Sequence, residues 1–259
     1  MTRAAGVRFL PPKRGEEDQG FWETEAPDLL SSALDSLPDD RYDAVIIDEG
    51  QDFKEYWWIV IERLLRDPAE SRLWVFYDPN QDLYGGGPVE TLGLMPARLS
   101  FNCRNTKNIA RFSSSHIEQE PKLKPDAPDG AGVMEVQCTD EKAMTEAVRK
   151  EVHRLVVDEK VPAADIVVLS PLGQSSPSWR AKRLGNLELV DFQQAPAANQ
   201  LRFGSLQRFK GLEADAIILC DIRPSDPLCS PKHLYVGTSR AKHILSVLSY
   251  EGYRPPRQP

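Results

Sequence analysis

The sequence predicts an α/β protein built on parallel sheet, and three observations predict it. After Tyr42-Asp43, Ala44-Val45-Ile46-Ile47 runs apolar and largely β-branched without alternation, then stops at Asp48-Glu49-Gly50-Gln51-Asp52. Such a run reads as a strand buried on both faces. Comparable runs recur at Leu73–Tyr77, Asp165–Ser170 and Ala214–Asp221, with segments of helical spacing between them. Strands alternating with helices specify parallel pairing, because each return to the same end of a sheet needs a crossover.

The elements follow in order. Residues 1–40 are irregular apart from a short amphipathic stretch, Ala26 to Leu37. After the first strand, Tyr56, Ile59, Val60 and Leu64 recur at helical spacing and predict a helix from Phe53 to Leu65. Leu73–Tyr77 is the second strand, and Asp78-Pro79-Asn80-Gln81-Asp82 is its turn. Gly85-Gly86-Gly87-Pro88 reads as a flexible break. Leu99–Phe101 is a third short strand, with Asn105 suited to cap a helix from Thr106 to about His116. The polar, proline-rich stretch Glu118 to Gly132 is the candidate linker or loop. Beyond it come a strand (Val133–Cys138), a helix (Glu141–Asp158), a strand (Asp165–Ser170), a short helix (Pro177–Leu184) and a strand (Arg202–Leu206). A strand (Ala214–Asp221), a helix (Pro231–Lys242) and a final strand (Ile244–Tyr250) complete the series. The tail from Arg254 to Pro259 is expected to be disordered, and the sequence contains no internal repeat or low-complexity tract.

With 259 residues, 41% of them hydrophobic and 27% charged, the chain has the composition of a soluble globular protein of one or two domains. No apolar run approaches a membrane span, and the N-terminus lacks the apolar core of a signal peptide, so no membrane partner is expected. Cys103, Cys138, Cys220 and Cys229 are scattered, which argues against a zinc ribbon or a disulfide framework and makes a reducing cytoplasm the expected location. Cys220 lies in an apolar strand and reads as core. A net charge of −7 excludes a general nucleic-acid coat but leaves room for a local groove of a few placed cations.

Chemistry concentrates where strands end. In parallel sheets ligands sit at the carboxyl ends of strands, where Asp48 and Glu49 emerge. Two acids there are costly unless a cation or reacting group occupies the site. An aspartate on Mg²⁺ beside a residue that positions water is a recurring arrangement in nucleotide hydrolysis. Two other readings fit these residues alone: a strand ending in solvated acids, and a metal-dependent nuclease using Asp48, Glu49 and Asp52.

Four further polar clusters follow in order. They are Tyr77-Asp78-Pro79-Asn80-Gln81-Asp82-Leu83-Tyr84, Leu99-Ser100-Phe101-Asn102-Cys103-Arg104-Asn105-Thr106, Ser205-Leu206-Gln207-Arg208-Phe209-Lys210-Gly211-Leu212-Glu213, and Tyr235-Val236-Gly237-Thr238-Ser239-Arg240-Ala241-Lys242. With the acidic strand, they resemble motifs II to VI of the superfamily I DNA helicases of the UvrD/Rep type, over about four-fifths of the chain, Tyr42 to Leu248. The resemblance implies a RecA-like fold, with a partial first lobe followed by a near-complete second. It implies a remnant of the first lobe over 1–96, a crossover and linker over 97–132, the second lobe over 133–253 and a tail over 254–259.

It also implies roles. Asp48 would hold Mg²⁺ and Glu49 would polarise the attacking water. Gln81 would sense the γ-phosphate of ATP. Arg104 and Arg240 would reach that phosphate across a cleft, the metal-side acids and both guanidinium groups converging on one triphosphate. Lys210, Gly211 and Glu213 would belong to the nucleotide site, with Glu213 at the ribose. Ser205 and Gln207 match positions near DNA where the family usually has Thr and His, and Tyr84 matches an aromatic beside the single strand, where stacking contributes about 1–3 kcal/mol per base. Apart from the family, Arg104 and Arg240 also suit ordinary ion pairs, Gln81 a turn and Lys210-Gly211 a helix end. Of Trp57 and Trp58, core packing of one ring is expected.

The sequence also departs from the family. No Gly-x-x-x-x-Gly-Lys-Ser/Thr precedes Asp48, and Lys13-Arg14-Gly15 has neither the preceding strand nor the glycine frame to replace it. Tyr77 stands where many relatives have Gly, and Gly85-Gly86-Gly87 replaces their usual continuation. The expectation is therefore the carboxyl-terminal part of an ATP-dependent helicase that needs a P-loop region in cis or in trans, and that hydrolyses little ATP by itself. A non-catalytic nucleic-acid-binding or regulatory remnant is the alternative.

Overall fold

The computed structural model describes residues 2, 4–12, 20–87 and 89–254, and the chain divides into two units, Met1–Pro96 and Ala97–Pro259. Lys13-Arg14-Gly15, Pro88 and the last five residues of the expected tail lie outside the described residues.

In the first unit a π turn, Phe21–Glu25, leads into α1 (Ala26–Ser36). Strand β1 (Ala44–Ile47) is followed by α2 (Glu55–Glu62) and β2 (Arg72–Val75). The strands pair in parallel, Ala44 opposite Arg72 and Ile47 opposite Val75. Val45, Ile47, Leu73 and Val75 pack on a core of Trp58, Ile61 and Val89. Trp58 is the buried ring of the tryptophan pair, while Trp57 donates its indole N–H to the Trp22 carbonyl at 2.8 Å.

The expectation of a strand covered on both faces does not hold. Ile46 is 68% exposed, its register partner Trp74 56% and Phe76 49%. Alternate residues of a strand point to opposite faces, so with the core on one face only, the second set of apolar side chains is left in solvent. The glycine run also differs from expectation: it is held. Asp82 Oδ1 accepts from the N–H groups of Tyr84, Gly85 and Gly86 at 3.2, 2.6 and 3.2 Å, and Lys54 Nζ donates to the Tyr84 and Gly85 carbonyls. A Cβ on Gly86 would stand 1.8 Å from the Gln51 carbonyl oxygen, so only glycine permits this approach.

In the second unit β3 (Phe101–Asn102) and β4 (Lys122–Leu123) form a short parallel pair on either side of α3 (Lys107–Ser115). Then come β5 (Met134–Cys138), α4 (Glu141–His153, continued by a π turn to Asp158), β6 (Ile166–Ser170), α5 (Pro177–Arg180), β7 (Arg183–Leu184) and β8 (Leu187–Asp191). The unit ends with β9 (Gln200–Ser205), β10 (Ala214–Ile222), α6 (Pro231–Thr238) and β11 (Ala241–Tyr250). Seven strands form one sheet in the order β5-β11-β10-β6-β9-β8-β7, parallel except for β7 against β8.

Every residue of β6 is buried, as is nearly all of β10, as their unalternating sequences require. Each Val, Leu or Ile fully buried there contributes about 1.5–3 kcal/mol. Cys220 is core, and Cys103 is exposed while Cys138 is buried and Cys229 partly so. Ser246 on β11 donates to Glu151 of α4, a buried carboxylate that also receives Arg154. Among the described residues no helix is long and apolar enough to cross a membrane.

Several boundaries differ from the sequence reading, two of them at the ends of helices in the second unit. The expected helix Pro177–Leu184 ends at Arg180, because Arg183-Leu184 turns through Gly185-Asn186 into β8, a strand the sequence reading passed over. The helix expected through Lys242 ends at Thr238. Gly237 lies so close to the Leu206 and Leu219 side chains that a Cβ would meet them at 2.8 and 3.3 Å, and β11 starts three residues after Thr238.

His116 closes the carboxyl end of α3. Its Nδ1 faces the Phe112 and Ser113 carbonyls at 3.0 and 3.2 Å and so carries the hydrogen; Nε2 then accepts from the Tyr253 hydroxyl at 3.0 Å. Burial pushes the His116 pKa down and the Tyr253 pKa up. A histidine whose folded pKa is depressed contributes stability that is whole above its unfolded value, about 6.5, and is lost as pH falls toward the folded value. The urea midpoint of the second unit should therefore drop between pH 7.5 and 5.5, and His116→Gln should flatten that slope; an equal slope in the variant would refute the assignment.

Candidate functional site

The first unit gathers Asp48, Glu49 and Gln81 at the carboxyl ends of its two strands. Asp48 leaves β1 exposed, and its Oδ1 accepts from the Glu49 N–H at 3.0 Å. Glu49 takes a left-handed backbone, φ 53°, at the head of the short Gly50–Asp52 turn. Non-glycine residues in that region are uncommon and concentrate at functional turns. Gln51, buried, reaches both ways: its amide N–H donates to the Glu49 carboxylate, and its Oε1 accepts from the Asp78 N–H at 3.0 Å. Asp78 in turn caps the Pro79–Gln81 turn through Asn80 N–H and accepts from Gln81 Nε2 at 2.9 Å. Asp48, Glu49 and Gln81 thus belong to one connected network whose hub, Gln51, the sequence reading did not single out. Tyr84 lies beyond it with its ring half exposed, and its carbonyl accepts from Lys54.

The second unit brings Arg104, Glu213 and Lys242 together at the amino end of its sheet. Glu213 immediately precedes β10, and its carboxylate accepts from Arg104 Nε and from Lys242 Nζ, both at 2.9 Å. Lys242 also lies 3.6 Å from Asp215. Lys242 and then Arg104 hold the Glu213 carboxyl below the usual range, and Glu213 raises Lys242. Arg240 is 2% exposed. Its Nε donates to the Val236 carbonyl at 3.1 Å and a terminal nitrogen to Ser239 Oγ at 3.2 Å. The Val236 and Ser239 acceptors offset part of the cost of burying the Arg240 charge.

Asn102 and Asn105 organise this edge. Asn102 Oδ1 accepts from the N–H groups of Arg104 and Asn105, and its Nδ2 donates to Asn105 Oδ1 at 2.8 Å. Asn105 does not cap α3; its Nδ2 donates to the Ser239 and Ala241 carbonyls at 2.9 and 2.5 Å. The first N–H groups of α3 are met instead by the Pro128 and Asp129 carbonyls, so the stretch expected as a linker packs on the helix it follows. Lys242 is a residue of this edge that the sequence reading gave no role, and Asn105 one to which it gave a different role.

Ser205, Gln207, Lys210 and Gly211 are spread along the crossover from β9 to β10. Ser205 ends β9 and accepts from the Arg208 N–H at 3.2 Å; Gln207 opens the next turn. Gly211 has φ 79°, the left-handed turn that returns the chain to Glu213. Ser205 pairs with Ser170, while Ala216 pairs with Ile166. Glu213 and Ser205 are therefore seven strand positions apart, about 23 Å at 3.3 Å per residue. Ser205 and Glu213 thus stand at opposite ends of one sheet.

No family model matches the sequence, and no curated protein does. Among solved structures the chain is similar to the C-terminal domain of a possible DNA helicase from Lactobacillus plantarum WCFS1, with a TM-score of 0.42 and 16% identity, over 59% of this chain and 89% of that one.

Gln51→Leu removes the acceptor of the Asp78 N–H and the donor to Glu49. Leaving such a group without a partner costs about 1–3 kcal/mol, so the denaturation midpoint of the first unit, followed by tryptophan fluorescence, should fall; an unchanged midpoint would refute the hub role.

Proposed function

We propose that this chain is the carboxyl-terminal part of an ATP-dependent, UvrD-like DNA helicase, in which hydrolysis is coupled to movement on single-stranded DNA. The observation that carries the reading is the second unit's amino edge. Arg104, Glu213 and Lys242 come from three separate motifs, yet their side chains meet there. Shared stability explains this poorly, since exposed ion pairs contribute little. A phosphate-binding edge explains it well, because guanidinium and ammonium groups on one surface suit a polyphosphate.

The remaining roles rest on the same reading. Asp48 is the residue to hold Mg²⁺. This ion binds through one or two carboxylates plus waters and substrate phosphates, so it needs no cage of three side chains, and among the described residues there is none. When bound, the metal neutralises charge developing on the transferred phosphoryl group. Glu49, whose carboxylate accepts from Gln51, would hold a proton of the attacking water. Gln81 is tied through Asp78 and Gln51 to Glu49, and it would couple the γ-phosphate to the DNA-facing turn. Arg104 and Arg240 supply positive charge to the phosphates, Lys210, Gly211 and Glu213 complete the nucleotide site, and Ser205 and Gln207 face the strand. The exposed Ile46, Trp74 and Phe76 support a need for a further layer, since parallel strands occur almost only with both faces covered. A P-loop region in cis or in trans is the layer we propose. An open face of this kind is equally at home in a binding remnant, which is the alternative.

Two measurements test the reading. The isolated chain should bind a fluorescent oligothymidylate, with affinity falling steeply as salt rises, and should show no DNA-stimulated ATP hydrolysis. Turnover that vanished on Glu49→Gln would refute the dependence on a P-loop. An upstream reading frame encoding Gly-x-x-x-x-Gly-Lys-Ser/Thr after a strand-forming run would support the helicase; its absence from both that frame and any co-purifying partner would leave the remnant.

A further inference from the structure

Asn105 spends both of its amide hydrogens on a single turn. Its Nδ2 donates to the Ser239 carbonyl at 2.9 Å and to the Ala241 carbonyl at 2.5 Å, the two carbonyls that flank Arg240. Two facing carbonyls demand a donor, and Asn102 Nδ2 meets the amide oxygen at 2.8 Å, which fixes the orientation of the Asn105 amide. The same asparagine directly follows Arg104, whose N–H is held by Asn102 Oδ1 at 3.1 Å. The contact continues one residue further, where Thr106 N–H donates to the Lys242 carbonyl at 3.1 Å. Asn105 is 6% exposed, and it has no duty as a helix cap, because α3 takes its caps from Pro128 and Asp129.

We propose that Asn105 is a positioning residue that sets both arginines in one frame: its backbone places Arg104, and its side chain places Arg240 through the carbonyls of the residues on either side, Ser239 and Ala241. The buried guanidinium depends on that turn. Arg240 donates to Val236 and Ser239 from a fixed path, and the Arg240 carbonyl itself accepts from the Ala214 N–H at 3.1 Å, next to Glu213. A shift of the Ser239–Ala241 turn would therefore move Arg240 and disturb the start of β10 beside Glu213. That the frame serves polyphosphate rests on the function proposed above; the frame itself does not. A small displacement of such a group matters, since misplacement of about 1 Å can cost on the order of 10²-fold in rate.

The test reads the Arg240 side chain directly in the full chain. In a ¹⁵N-labelled protein, hydrogen exchange of the Arg240 Nε–H should speed up at least tenfold in Asn105→Ala, while amides of Ile217 and Leu219 at the centre of β10 keep their protection. Asn102→Asp keeps the acceptor for the Arg104 and Asn105 N–H groups but removes the donor that orients the Asn105 amide. It should shift Arg240 in the same direction, and it provides an independent reading should Asn105→Ala not fold. Unchanged exchange at Arg240, or an equal acceleration through β10, would overturn the proposal, the latter marking a residue that merely stabilises. Titration with inorganic tripolyphosphate separates the two readings. If the wild-type chain fails to bind it, the nucleotide reading is weakened while the exchange data still decide the role of Asn105. Binding that weakens in both variants supports both.

Discussion

A parallel sheet imposes two demands, and most of this structure follows from them. Its strands must be covered on both faces, and each strand must be re-entered from the same end. The second unit meets both. The buried pairing of β6 with β10 lies at its centre, helices carry the chain back, and every return deposits a polar turn at one edge or the other. The first unit meets only the second demand, with two strands, one crossover helix and an apolar face in solvent.

Two amides repeat the same chemistry on the two units. Gln51 and Asn105 each use a short, uncharged side chain to connect segments distant in sequence, one between the acidic turn and the Asp78 turn, the other between the Arg104 and Arg240 turns. A neutral amide can donate and accept at once without the desolvation cost of a buried charge. That suits a joint between charged groups whose own charges are needed elsewhere.

Much of the architecture was legible because burial leaves a direct mark on sequence. Val45-Ile46-Ile47 and Ala216-Ile217-Ile218-Leu219 could hardly be anything but strands, and the helical spacing around Ile59 and Val60 was equally plain. What escaped was set by partners far along the chain. The Gly185-Asn186 pair between Leu184 and Leu187 is a hairpin signal, but the alternation of Leu187-Glu188-Leu189-Val190 is too short to stand out. Asn105 carries a good capping residue's chemistry in a good capping position, and only the Pro128 and Asp129 carbonyls, more than twenty residues on, release it for other work. Nor could sequence alone reveal that Ile46 faces water, since its neighbours are as apolar as those of Ile217. The grouping of Arg104 with Glu213 was expected only from family resemblance; no local pattern links residues 109 positions apart.

The distribution of thiols has a practical corollary. Cys138 and Cys220 are buried, and burial raises the pKa of both and takes Cys229 up to about 11. Cys103 alone of the four stands exposed, directly beside Arg104. A thiolate is the nucleophile in alkylation, so a maleimide dye would attach there in preference to the other three. The native sequence thus offers a single-site optical reporter beside the Arg104–Glu213 pair without any engineered cysteine.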